Sequence, residues 1–324
     1  FFYRSMRSLG FYLLMVLASL TSLFSQESFS GFFTPSDSFN RKRFELAVTG
    51  ASITYTVFAT GLYSAWYRQQ GLGKFHFFND WNEWMLMDKL GHSYSSYIQS
   101  ELVYHGCLWT GMKKRNALLW SMGTSLLFQH TIEVMDGFGK GYGFSWSDVG
   151  ANFLGSGCFA LQQELWNEQR FRIRYSAHPA IYSKDNPMLQ QRAEYLYGHD
   201  ALQRILKDYN GQTYWLSFHP TLAWGIAQNF WPSWLELSIG YGVKNLYGAR
   251  SNDWLDPMGN HITTGSDYPR TKQYYLSLDI NFRKIPVRNT FWRTIIHTIG
   301  IFKIPAPALE INSPGSVRWN WLAF

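Results

Sequence analysis

Two patterns of apolar and polar positions divide the chain. Between residues 46 and 210 long stretches carry few charges and do not alternate strictly, which reads as helix. From Thr213 the period becomes two. Tyr214, Leu216 and Phe218 alternate with Trp215, Ser217 and His219. Leu235, Leu237, Ile239, Tyr241 and Val243 alternate with Glu236, Ser238, Gly240, Gly242 and Lys244. Tyr274, Leu276, Leu278, Ile280 and Phe282 alternate with Tyr275, Ser277, Asp279, Asn281 and Arg283, and residues 317–324 alternate again. A strand with one apolar and one polar face has this pattern.

In the first half, Leu46 to Tyr67 runs 22 residues without a charge, flanked by Arg43 and Arg68. That length crosses a bilayer, which takes about 20 apolar residues, and its Thr, Ser, Ala and Gly let helices approach closely. A buried core helix is the competing reading. Further helices are expected over Trp84–Tyr104, Asn116–Asp136, Ser145 to about Arg170, and Pro187–Asp208, with a glycine-rich flexible turn at 137–143. The expected fold is α+β: about five apolar or amphipathic helices, then antiparallel strands of outer-membrane character. The strands resemble outer-membrane strands, with 247–271 as a long polar loop and Phe324 as a terminal aromatic. Four clear strands are fewer than the eight that a closed bacterial barrel requires. A small antiparallel sheet packed on the helices is therefore the alternative. No internal repeat is evident.

Composition narrows the class. Aromatic residues make up 19% and charged residues 16%, the latter below the roughly 25% of an ordinary soluble domain. Trp and Tyr favour membrane–water interfaces. Yet the mean hydropathy of −0.22 is too polar for a chain made mostly of transmembrane helix. Partial immersion or a β-type membrane surface fits both facts. The net charge is +7, with basic residues clustered at Arg41-Lys42-Arg43, at Lys113-Lys114-Arg115 and at Arg170, Arg172 and Arg174. Each cluster flanks an apolar segment, a placement that suits anionic headgroups; solvated helix ends are the simpler account. Membrane lipids and other envelope proteins are the expected partners, and nucleic acid is not.

The first residues have the three parts of a secretory signal peptide. Met6 is read as the start, Arg7 is the positive end, Gly10 to Phe24 is the apolar core, and Ser25 and Gln26 precede a polar stretch. The Leu23-Phe24-Ser25-Gln26 ending resembles signal peptides of Bacteroidota. A retained signal anchor is the alternative. No cysteine lies near the cleavage point, so no lipid anchor is expected there. Cys107 and Cys158 are the two cysteines, and export permits a disulfide or two free thiols. The resulting division is 1–26 signal peptide, 27–45 linker, 46–210 helical bundle and 211–324 β region. It implies the cell envelope: the outer or a periplasm-facing membrane, with the inner membrane as alternative.

One polar constellation bears on chemistry. It comprises Asp88-Lys89-Leu90-Gly91-His92, Gln129-His130-x-x-Glu133-x-x-Asp136, and Ser145-x-x-Asp148-x-x-x-Asn152-x-x-Gly155. Helical spacing aligns Lys89 with His92, Gln129 with Glu133, and Asp148 with Asn152 and Ser156. Inward polar groups on apolar helices either pair with one another or form a site, because an unpaired buried charge is expensive. Lys89 could pair with Asp148 or Glu133. Alternatively His92, Lys89, Glu133, Asp148 and Asn152 form a reactive set, in which His92, Glu133 and Asp148 hold a divalent metal or act as acid and base. Simpler roles compete: Ser145-x-x-Asp148 is a helix-capping pattern, and His130 reads as a satisfied core histidine. No nucleophile elbow, zinc-protease motif, phosphate loop or C-x-x-C is present. No cofactor can be assigned.

The block from about Asp80 to Trp166, on the strength of these motifs, resembles YfiM-like predicted periplasmic lipoproteins, a bacterial family of unknown function that is common in Bacteroidota. It is more distantly similar to VanZ-like membrane proteins, which share a D-K-x-x-H then D-x-x-x-N layout. The resemblance implies Lys89, His92, Glu133, Asp148 and Asn152 as the family-type positions and brings no reaction with it. Three roles remain: a structural or assembly protein of the envelope, an enzyme acting on an envelope lipid or glycan, and a binder of lipid or a small ligand.

Overall fold

The computed structural model describes residues 29–68, 71–182, 186–221, 231–256, 258–264 and 266–324. The expected signal peptide lies outside them. The chain forms two compact units. One comprises the described residues up to Asn79 with Ser95–Glu164 and Val287–Ile295. The other comprises Asp80–Tyr94, Leu165–Pro286 and Ile296–Phe324.

The first unit is built from helices α1 (Arg41–Leu62), α2 (Met87–Trp109, from Ser95 onward), α3 (Lys114–Phe138) and α4 (Trp146–Trp166). Asn40 caps α1 by accepting the Arg43 N–H at 3.1 Å, and Ser145 caps α4 by accepting the Asp148 N–H at 3.1 Å. The covered face of α3 is a stripe of every fourth residue: Ala117, Ser121, Ser125, Gln129, Glu133 and Gly137. On α4 it includes Asp148, Asn152, Ser156 and Gln162. The exposed face carries Leu119, Trp120 and Leu127 on α3, and Phe153, Leu154 and Leu161 on α4. A helix on a water-soluble core has the opposite arrangement. The small serines let helices approach: Ser125 Oγ donates to Ser96 O at 2.8 Å, and Ser100 Oγ to Ser156 Oγ at 3.0 Å.

Among the described residues no helix is long and apolar enough to cross a membrane, which corrects the expectation for Leu46–Tyr67. The Thr, Ser and Gly of that segment dilute its apolar character, and α1 begins earlier, on Arg41, Lys42 and Arg43. The glycines at 137–143 do not make a loose turn. A Cβ on Gly137 would meet the Phe75 ring at 2.3 Å, and one on Gly143 would meet Phe78 Cβ at 2.4 Å. They let the 72–78 segment lie against this turn, where His76 N–H donates to Gly137 O and Phe144 N–H to His76 O, both at 2.9 Å.

The second unit is organised by a six-stranded antiparallel sheet in the order β1-β2-β3-β6-β7-β8, open at β1 and β8 among the described residues. The strands are β1 (Phe171–Ala177), β2 (Gln212–Phe218), β3 (Leu235–Lys244), β6 (Thr271–Ile280), β7 (Ala306–Asn312) and β8 (Val317–Ala323). A short hairpin, β4 (Asp253–Leu255) with β5 (His261–Thr263), sits in the expected long loop. Helices α5 (Pro187–Tyr197) and α6 (Ala201–Lys207) replace the single helix expected over 187–208, because Gly198 takes φ +88° and ends the first. Helix α7 (Thr290–Ile299) was not expected.

The two faces of the sheet differ sharply. Paired residues form a row across all six strands: Ile173, Leu216, Ile239, Leu276, Leu309 and Trp319. Leu216 is 40% exposed, Ile239 50%, Leu276 49% and Trp319 53%. The adjacent row, Arg172, Ser217, Ser238, Ser277, Ala308 and Asn320, lies on the other face, and all but Asn320 are buried. That covered face is charged. Arg174 Nη2 lies 3.0 Å from Glu236 Oε2 and its Nε 3.2 Å from Asp279 Oδ2. Ser217 Oγ donates to Asp279 at 2.6 Å, and Asn281 Nδ2 to Glu236 at 2.6 Å. Arg172 and Arg174, expected among headgroups, are thus inside; so is Arg43, which donates to Thr34 O and Trp109 O at 2.7 and 3.1 Å. The buried Lys303 Nζ sits 4.9 Å from the centre of the Trp215 ring.

Trp215 fits beside this cluster because residue 240 has no side chain: a Cβ there would meet the ring at 2.6 Å. Gly240→Val should lower stability by about 1–3 kcal/mol, measured by thermal unfolding. An unchanged melting temperature would show that Trp215 can yield.

Candidate functional site

The sequence candidates fall into two groups, one in each unit. In the second unit, three successive residues before α2 take left-handed backbone: Trp84 (φ 49°), Met85 (φ 52°) and Leu86 (φ 68°). Such conformations are costly for residues with a Cβ. They are held by tertiary bonds, since Trp84 N–H donates to Ala249 O at 2.7 Å and Tyr241 Oη to Met85 O at 2.8 Å. The first turns of α2 then present Asp88, Lys89 and His92.

Lys89 Nζ lies 2.8 Å from Asp80 Oδ2 and 2.9 Å from Asp88 Oδ2. Both are carboxylates of the same unit. On the other oxygen, Asp88 Oδ1 accepts the Tyr209 hydroxyl at 3.0 Å and lies 3.8 Å from His92 Nε2, one helical turn on. Burial pushes the Asp88 carboxyl up, but His92 and Lys89 outweigh it and hold the group below its ordinary 3.8. The arrangement is a carboxylate fixed by a lysine and a tyrosine, facing an imidazole. It can orient a histidine as base or metal ligand. Asp80 and Tyr209 were not named as site residues. Asp80 lies in the same charged segment and was legible; Tyr209 arrives from 121 residues away through tertiary structure alone.

In the first unit, Glu133 and Gln129 lie on the covered stripe of α3, and Asp148 and Asn152 on that of α4. All four are buried. Asn152 O accepts from Ser96 Oγ at 2.5 Å. His130 is satisfied within its own helix, its Nδ1 lying 2.7 Å from Leu126 O. The i+3 partner of Glu133, Asp136, accepts the Tyr67 hydroxyl at 2.6 Å. Of the expected metal set, His92 belongs to the second unit, and Glu133 and Asp148 to the first. The two cysteines are free thiols, and burial pushes both up.

The sheet adds a feature not read from the sequence. Its covered face lines a cavity of about 380 Å³ at one end, with Lys244, Gln273, Glu310 and Asn320 on the strands and Tyr182 and Tyr247 opposite. Glu310 is held there by Gln273 Nε2 at 2.7 Å and Asn320 Nδ2 at 2.8 Å.

Residues 76–164 match the model of a family described as "Predicted periplasmic lipoprotein (DUF2279)", a domain of unknown function. The match takes in Lys89, His92, Glu133, Asp148 and Asn152 and leaves the sheet outside it. No curated protein and no solved structure matches the chain.

The Asp88 geometry has a pH signature. A carboxyl held low in the folded state contributes stability that is complete above about pH 4 and is lost as pH falls through the lowered value. The stability gap between the native chain and Asp88→Asn, followed by thermal unfolding, should shrink as pH drops from about 6 to 2. A constant gap would contradict this assignment.

Proposed function

We propose that the chain is a cell-envelope protein seated in lipid through the exposed apolar face of its sheet, with a structural or assembly role there. The observation that carries this reading is the six-strand apolar row from Ile173 to Trp319, backed by a charged covered face. In water such a surface is a liability, since contiguous exposed apolar patches mark interaction sites. In a bilayer it is the ordinary outside of a strand, and β3 and β6, with 10 residues each, have the length of outer-membrane strands. Helix α7 adds to the case. It buries none of its residues and gathers Phe291, Trp292, Ile295 and Ile299 against Arg293 and His297, the make-up of a helix lying in a membrane interface. The family description for residues 76–164 points the same way, to the periplasmic side of the envelope. Lipids are the first partners in this reading, and other envelope proteins the second.

An enzymatic reading is favoured by one observation, the Asp88–His92 pair one helical turn apart. In it His92 is the acid–base group on a lipid or glycan, Lys89 positions Asp88, and Glu133, Asp148 and Asn152 complete the polar set, with His92, Glu133 and Asp148 as the ligands of a metal. His92→Gln should then preserve abundance and change envelope lipid or glycan composition; unchanged composition sinks this second reading.

For the first reading, inner and outer membranes are separated on a density gradient after an alkaline wash. The protein should stay with the outer-membrane fraction. Recovery with the inner membrane would move the lipid contact away from the strands, and recovery in the soluble fraction would overturn the reading altogether.

A further inference from the structure

The helical unit contains an apolar groove of about 730 Å³ between α1, α2 and α3, within the range of pockets that hold small organic ligands. Its walls are built to stay open. Along α1 they present Ala47, Gly50, Ala51 and Thr54, and α2 contributes Gly106 and Cys107. A Cβ on Gly50 or on Gly106 would meet nothing within 4 Å. Aromatic rings close the groove at intervals along its length. Phe44 and Trp120 lie 6.3 Å apart near the start of α1, and Tyr55 and Phe128 lie 5.0 Å apart further along.

The groove has a charged end. The start of α1, the end of α2 and the start of α3 meet there, tied by Asn40 N–H to Thr110 O at 2.8 Å. Five exposed cations gather at these termini: Arg41, Lys42, Lys113, Lys114 and Arg115. Nearby acids are fewer, Asp37 and Glu45, the latter engaged by Arg41 at 2.9 Å. Two helix N-termini add partial positive charge, and α3 has no side-chain cap.

We infer that this groove holds one acyl chain of an anionic lipid, its headgroup at the Lys113-Lys114-Arg115 end. The inference deepens the membrane reading and rests on it for the supply of lipid. An apolar groove lined along α1 from Phe44 to Thr56 suits a flexible chain, and a basic mouth selects a negative head. Bulk solvent lipid would coat exposed side chains such as Leu154 and Leu161, which do not line this groove. A lipid inside it instead covers Cys107 and contacts Gly50 and Gly106.

The test uses the full chain in detergent micelles, with phosphatidylglycerol and phosphatidylcholine as separate probes and native mass spectrometry as readout. The chain should retain one phosphatidylglycerol with roughly tenfold preference over phosphatidylcholine. Replacing Lys113, Lys114 and Arg115 by glutamine should remove the preference and leave binding. Gly50→Leu with Gly106→Leu should abolish binding without loss of melting temperature, since leucine favours helix over glycine. In a Cys158→Ser background, phosphatidylglycerol should slow alkylation of Cys107 severalfold. Lipid retained equally by the filled-groove variant, or Cys107 reacting at the same rate with and without lipid, would overturn the inference. Membrane fractionation separates the two claims. A filled-groove variant that still sediments with membranes shows failure of the groove alone, whereas a native chain found in the soluble fraction shows failure of the membrane reading.

Discussion

A guanidinium between two carboxylates sets the terms for the β unit. Arg174 bridges Glu236 and Asp279, three charges drawn from three strands onto one covered face. Removing Arg174 would leave two buried carboxylates uncompensated, at about 3–5 kcal/mol. With that face given to charge, the apolar residues of the same strands have only the opposite face, because successive side chains alternate. The exposed row from Ile173 to Trp319 is thus a consequence of what lies behind it. The glycine at 240 and the cation–π contact of Lys303 with Trp215 serve the same interior, the first by admitting the ring and the second by placing an ammonium over it.

The helical unit obeys the same constraint by other means. Its covered stripes carry serine, glutamine, asparagine and carboxylate among small residues and Phe159, and exposed leucine and tryptophan lie outside. Hydrogen bonds between small side chains join aromatic packing, such as Tyr97 and Tyr104 against Phe159, as contacts between the helices. Two units with different secondary structure share this inverted polarity. That agreement favours a lipid surroundings over a structural accident in either one. The reactive-looking residues are then read against a background in which buried polar groups are common. The Asp88 cluster stands out from that background by its mixed chemistry, an acid, a lysine, an imidazole and a phenol, and by the strained backbone that leads into it.

Much of this was legible in the chain. The alternation at 235–244 gave β3 closely, that at 274–283 gave β6 three residues late, and the capping pattern at Ser145 gave the start of α4. The strand β1 was hidden in plain alternation: Phe171, Ile173 and Tyr175 against Arg172, Arg174 and Ser176. Its arginines drew the reading towards a basic surface cluster, whereas tertiary partners 62 and more residues away take them inside. Strand β7 was obscured by Pro305, just before it, and by Pro307, which sits at the register shift between Ala306 and Ala308 where the ladder is already broken. Helix length was read better than helix environment. A charge-free run such as 46–67 says that a segment is uncharged, and its many Thr, Ser and Gly residues decide that it is not a span. At the site, helical spacing placed Lys89 and His92 on one face, whereas the i,i+4 approach of Asp88 to His92 was not read and Tyr209 could not be placed because no local pattern joins it to them.

The central claim is that the outer face of the sheet meets lipid and the covered face does not. Spin labels report this directly. In a chain with Cys107→Ser and Cys158→Ser, single labels are attached through Ile239→Cys, Leu276→Cys and Trp319→Cys on one face, and through Ser238→Cys and Ser277→Cys on the other. After reconstitution into vesicles, collision with dissolved oxygen and with a water-soluble nickel complex is measured at each label. The account predicts high oxygen and low nickel accessibility at 239, 276 and 319, and low accessibility to both at 238 and 277. High nickel accessibility at 239, 276 and 319 would place that face in water and contradict it.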